Sequence, residues 1–326
     1  EAIPYLRSVF NVYVYGIKRW ADLFTERQLL SILVFVKCIR KAHQEIQKFR
    51  YSEEWTESIL AYLSIVNSRL ANFNSTICFW DTVYEKMGKT FARYALPMTW
   101  DFDELNIFSL LTGGYLPQLG WIIEFLTNFK INNPILPVII KGSATELKVT
   151  DNYDSVITDP PYYDAIPYAD VSDFFYVWFR RTFGNSQYNS FFRDELTPKA
   201  EELVAHLMAN SKIQTGDVTA KHFTKDRYER GMRKAFEQIS SCLSNDGISV
   251  IVFSNKNPEA WETLSMALIE TGLMITGSWP IDTEMTGALR NYNRASLSSS
   301  VWIVCRKRPA NAGIGRYKAV MQQMKE

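Results

Sequence analysis

The segment Asp159-Pro160-Pro161-Tyr162 combines residue types that suit one chemistry, the methylation of a planar exocyclic amine. The lone pair of such an amine is delocalised into its ring, which makes the nitrogen a poor nucleophile. A carboxylate at Asp159 and a fixed backbone carbonyl at Pro160 can accept the two N–H hydrogens, orient the amine and favour its pyramidal form as charge develops. Two prolines stiffen the loop and lower the entropy cost of holding that geometry. Tyr162 offers a flat face on which a base lifted from its stack can lie. Asp-Pro-Pro is also a common way to end a strand and turn the chain, so the four residues alone divide between a catalytic loop and a structural one.

Their position favours the catalytic loop. PVIIKGSA (137–144) and DSVITDPPYYD (154–164) are short apolar runs that stop at small or polar residues. Buried parallel strands end this way at the working edge of a doubly wound sheet. Helices are expected at Asp170–Thr182, Asp226–Leu243 and Pro258–Thr271, and further strands at 248–254, 273–280 and 298–307. The alternation predicts an α/β fold with a mostly parallel sheet, and the last two strands, with no helix between them, an antiparallel edge pair. Before this half lies a helical region. Residues 26–49 carry Leu29, Leu33, Val36 and Ile39 at helical spacing behind Thr25, with Gln28 completing a capping box, and a second helix over 53–73 follows Ser52. The expected organisation is a helical region at 1–96 and an irregular connection at 97–136. An α/β domain follows at 137–308, with an insertion at about 184–224, and then a basic tail at 309–326.

The run TDPPYYDAIPYADVSDFFYVWFRR (158–181) is more specific than its first four residues. With LFTERQLL (23–30), LPMTWDFDELNIF (96–108), KGSATEL (141–147), IVFSNKNPEAWETL (251–264), TGSWPIDTE (276–284) and ASLSSSVWIVCRKR (295–308), it resembles the large adenine-specific DNA methylases that carry the DUF1156 domain. The resemblance implies a Rossmann-like methyltransferase sheet, methyl transfer from S-adenosylmethionine, and adenine N6 in DNA as acceptor. It makes Asp159, Pro160, Pro161 and Tyr162 the catalytic loop and puts Asp159 and Ser143 beside the cofactor, Ser143 at a strand end. Tyr163, Asp164, Asn255, Arg290 and Arg294 are the substrate-binding candidates. Asn255 serves equally as a turn residue.

One departure is large. Methyltransferases of this type use a Gly-rich loop after an Asp-Pro-Phe lead to bring backbone close to the cofactor. Neither Gly113-Gly114 nor Gly313-Ile314-Gly315 fits that description. The expectation is therefore the catalytic-loop-bearing portion of a longer or split enzyme, whose upstream segment or partner subunit supplies the cofactor loop. A noncatalytic nucleic-acid-binding or partner subunit is the alternative. Cytosine N4 and RNA bases are further acceptors open to the same loop.

The acids that follow the loop, Asp164, Asp170 and Asp173, read as a polar rim and a helix N-terminus, with Asp170 or Ser172 as cap. FFYVWF (174–179) reads as a buried helix face under the loop. The three histidines are too dispersed for a metal site, and methyl transfer to nitrogen needs none. Composition narrows the partners. Thirty-six Lys and Arg against 35 Asp and Glu exclude a generally basic chain, so a DNA surface must be local, with the Arg290 to Arg308 region as candidate. No apolar run reaches ~18 residues, so no membrane span is expected. Four cysteines without a C-x-x-C pair suit reduced, mostly buried thiols in a cytoplasmic protein. The opening EAIPYLRSVF has neither a signal-peptide pattern nor an initiator Met, consistent with part of a longer polypeptide.

Overall fold

Thr25 starts the first long helix, α1 (Glu26–Gln47), as the sequence predicts. Its hydroxyl accepts from the Gln28 amide at 3.2 Å, and the Gln28 side chain accepts from the Thr25 amide at 2.9 Å. The computed structural model describes residues 1–4, 9–92, 95–130, 135–147, 152–163, 166–184, 186–200, 202–204, 225–282, 299–309 and 311–313. They divide into one unit of residues 1–139 and 167–202, and a second of 140–166 and 203–326.

In the first unit α1 packs on α2 (Glu53–Asn72), whose first turn is capped by the Ser52 hydroxyl. The α1 face that goes inside is Gln28, Ile32, Val36 and Ile39, while Leu33 is exposed. Apolar residues surround much of this helix, so spacing alone leaves two candidate faces and its neighbours choose between them. The expected connection at 97–136 contains a helix, α3 (Tyr115–Asn128). Pro117 lies in its first turn, where a missing N–H costs no hydrogen bond. Gln118 is its one buried residue among those described. Trp121, Ile123 and Phe125 face solvent, which inverts the usual arrangement. Helix α4 (Tyr168–Phe183) supplies Phe174 and Trp178 to a core with Trp20, Phe24 and Ile32. The run 174–179 thus packs as a buried helix face within the first unit. A short hairpin of β1 (Trp80–Asp81) and β2 (Lys86–Met87) and three 3-10 helices also belong to this unit.

The second unit is built on a four-stranded sheet in the order β3-β4-β6-β5, formed by β3 (Tyr153–Thr158), β4 (Leu243–Phe253), β5 (Leu273–Asp282) and β6 (Ser299–Lys307). The fold is α/β, as expected, but the sheet is mixed. β3 and β4 pair in parallel, and β6 runs against both β4 and β5. The expected antiparallel edge pair is present as β5 and β6. Helices α5 (Lys225–Cys242) and α6 (Pro258–Glu270) bury Phe236, Leu264 and Leu268 with Leu243, Ile251 and Phe253 from the sheet.

The strand expected at 137–144 is absent, and Val138 and Ile139 are 82% and 89% exposed. Pro137 denies a ladder donor and Gly142 follows closely, so few residues remain to pair. β3 is therefore the edge of the described sheet, with Ile157 68% exposed. Among the described residues no helix is long and apolar enough to cross a membrane.

Candidate active site

β3 and β4 are adjacent and parallel, so the chain leaves both at the same end of the sheet. Asp159–Tyr163 follows β3 there, and Ser254–Asn257 follows β4. The carboxyl ends of parallel strands are where open α/β sheets hold ligands, because the loops there converge.

The loop is fastened by its neighbours. The Tyr163 amide donates to the Pro161 carbonyl at 3.1 Å, closing a three-residue turn, and Tyr163 itself has a left-handed backbone with φ of 53°. That conformation costs a non-glycine residue about 1–2 kcal/mol. Tyr228 of α5 bridges the turn: its hydroxyl donates to the Pro161 carbonyl at 2.8 Å and accepts from the Tyr163 amide at 3.3 Å. The Tyr163 and Tyr228 rings meet edge to face at 5.1 Å, and both are buried. On the β4 side, the Asn255 side-chain amide donates to the Tyr162 carbonyl at 3.1 Å, while its side-chain oxygen accepts from the Asn257 amide at 2.8 Å. Trp261 holds the Asn255 carbonyl at 2.9 Å. Asn255 is thus a turn residue and a fastener of the loop.

What remains unengaged is informative. Among the described residues, neither the exposed Asp159 carboxylate nor the Pro160 carbonyl has a hydrogen-bond partner. The loop therefore presents two adjacent acceptors. Tyr162 is half-buried, with its ring in a T-shaped contact with Phe253 at 5.5 Å.

Other candidates are placed differently. Ser143 does not end a strand; it closes a local turn, with its hydroxyl 2.8 Å from that of Thr145 and its carbonyl accepting from the Glu146 amide at 3.1 Å. The expected capping role of Asp170 or Ser172 is replaced. Pro167 occupies the N-cap, the Ser172 hydroxyl donates to the Tyr168 carbonyl at 2.6 Å, and Asp170 is buried in the first turn. Asp173, expected to complement the helix dipole, lies beyond the first turn and is buried: it accepts from the Thr197 amide and hydroxyl at 2.9 and 2.6 Å and from Lys199 at 2.8 Å. Burial pushes the Asp170 carboxyl up to about 7, with Lys199 3.8 Å away opposing the shift and Asp173 and Glu202 adding to it. Asp164, Arg290 and Arg294 lie outside the described residues. Arg306 donates to the Asp246 carbonyl at 2.7 Å, which commits one basic side chain of the Arg290 to Arg308 region to the fold.

Neither the paired glycines nor the cavity among the described residues forms a seat for S-adenosylmethionine. Gly114 caps α3 so closely that a Cβ there would run into the Ser109 carbonyl, and a Cβ on Gly113 would meet Leu105, so close packing within the protein accounts for both glycines. A cavity of about 370 Å³ lies between α5 and α6, but its walls include Lys225, Glu229, Arg233 and Glu270, which pair with one another, and no residue of 159–163. Among the described residues no three His, Cys, Asp or Glu side chains are grouped to hold a metal ion. Sequence reading passed over Tyr228, whose partners lie 65 and 67 residues away. No family model matches the chain, and no curated protein matches it.

Proposed function

We propose that the chain carries the catalytic loop of an amino-methyltransferase that acts on adenine N6 in DNA. The observation that carries this reading is the acceptor pair of Asp159 and Pro160, unengaged among the described residues, at the carboxyl end of β3. Two neighbouring acceptors suit a nitrogen with two N–H donors and repel a group that presents only acceptors. As the nitrogen becomes positively charged, the Asp159 carboxylate stabilises it and a rigid carbonyl keeps it in place. Tyr162 provides an apolar flank for the ring. The run 158–181 and its companion segments support the reading through their resemblance to the DUF1156-containing adenine-specific methylases. The α/β fold, with β3 and β4 adjacent and parallel, supports the Rossmann-like reading that the resemblance implies.

In the resembled family the methyl group comes from S-adenosylmethionine. The seat for that group is assigned to another polypeptide segment or a partner subunit. The observation that favours this is that β3, next to the loop, has no second neighbour among the described strands, in a chain whose sequence has no Gly-rich cofactor loop.

Amine recognition belongs to this chain alone and is measurable without the cofactor. A single-stranded oligonucleotide with one adenine is compared with its twin bearing purine, which lacks the 6-amino group. Loss of two hydrogen bonds of about 1 kcal/mol each predicts at least tenfold weaker binding of the purine oligonucleotide. Asp159→Ala should reduce that preference toward unity. Equal affinity of the unaltered chain for both would refute the reading.

A further inference from the structure

The loop between Asp159 and Tyr163 contains several backbone carbonyls, and an amine-binding site needs one particular carbonyl to face the substrate. Tyr228 holds the carbonyl of Pro161 at 2.8 Å, and Asn255 holds that of Tyr162 at 3.1 Å. Both ties turn their carbonyls toward protein donors. The Pro160 carbonyl, one residue upstream, keeps no partner among the described residues and follows Asp159 directly in the chain.

Neither fastener is an incidental contact. The Tyr228 side chain is 1% exposed, and its hydroxyl touches both ends of the three-residue turn. Asn255 uses both ends of its amide, and its own carbonyl is held by Trp261. The fasteners come from separate elements, α5 and the turn after β4, so the loop is tied from two sides within one unit. The left-handed Tyr163 is the strained member of the turn, and the Tyr228 hydroxyl bonded to its amide offsets that strain.

We propose that Tyr228 and Asn255 are positioning residues that set which loop carbonyl is presented, leaving Pro160 to pair with Asp159 in grasping the amine. The inference rests on the reading of 159–162 as an amine-binding loop. It assigns to Tyr228 a role in specificity exerted through the loop, not through contact with substrate.

The test uses the full 326-residue chain and the variant Tyr228→Phe, which keeps the buried ring and removes the hydroxyl. Hydrogen exchange at the Tyr163 amide reads the clamp directly. The ratio of affinities for the adenine and purine oligonucleotides reads its consequence. The expected result is faster Tyr163 exchange by about tenfold and a ratio lowered by a similar factor, with the melting temperature close to that of the unaltered chain. Asn255→Asp, which exchanges a donor for an acceptor facing the Tyr162 carbonyl, should lower the ratio in the same way. Lys234→Ala, on the exposed side of α5, should change neither. Unchanged exchange and an unchanged ratio in Tyr228→Phe would overturn the proposal. Should the unaltered chain show no preference for adenine, the functional reading fails, and the exchange measurement still decides whether Tyr228 clamps the loop.

Discussion

Replacing Asp170 with Asn removes one titrating carboxyl from the first unit, and the structure sets the size of the effect. The Asp170 side chain is 4% exposed and its carboxyl is raised from an ordinary 3.8 to about 7. Desolvation is the leading cause. Lys199 opposes it, while Asp173 and Glu202 reinforce it. Between those two values the folded chain binds a proton that the unfolded chain has lost. The contribution of this group to folding stability is therefore fully present below about pH 4, falls as the pH rises, and is lost above about pH 7. Three units at about 1.4 kcal/mol each give roughly 4 kcal/mol as the largest contribution from this group. Glu202 is shifted in the same direction, also chiefly by desolvation, and steepens the trend. Asn at 170 imitates the protonated acid, so the variant should gain stability at pH 8 and lose most of the slope between pH 5 and 7. Urea unfolding followed through tryptophan fluorescence at several pH values reads both quantities, with Trp20 and Trp178 reporting from this core. A variant with the same pH slope as the unaltered chain would refute the assignment of that proton to Asp170.

Phe174, fully buried among Trp20, Phe24 and Phe91, should cost about 3–5 kcal/mol when cut to Ala, seen as an earlier urea midpoint for the first unit. Cys38 is exposed, whereas Cys78, Cys242 and Cys305 are buried, and burial raises the Cys305 thiol to about 11. A disulfide reagent at pH 8 should therefore label one thiol quickly and the other three only as the chain unfolds.

Local signals in the sequence were reliable where the physics is local. The Thr25 and Gln28 capping box needs residues three apart, and it forms as the spacing predicts. The strand ends at Thr158 and Phe253 are marked by the change from apolar to turn-forming residues. Helix α3 was hidden because Pro117 and Gly120 look like breakers, although a first-turn proline is tolerated. The apolar run after Pro137 read as a strand, but hydrophobicity alone does not supply a pairing partner. The acidic loop residue and the two prolines were legible as a candidate site because the chemistry they suggest is written in consecutive positions. Tyr228 was not, since its task depends on α5 crossing the loop from a distant part of the chain. Asp170 read as a helix cap by its place before an apolar run, and only tertiary burial beside Lys199 reveals its altered titration.

The most direct measurement of the central claim is methyl transfer itself. DNA is incubated with isotope-labelled S-adenosylmethionine and the 326-residue chain, alone and with extract of the organism that encodes it, then digested to nucleosides for mass spectrometry. The account predicts labelled N6-methyladenine above the level of extract alone, and its loss with Asp159→Ala. No added methyl label in any nucleoside under either condition, or equal label from the Asp159→Ala chain, would contradict it.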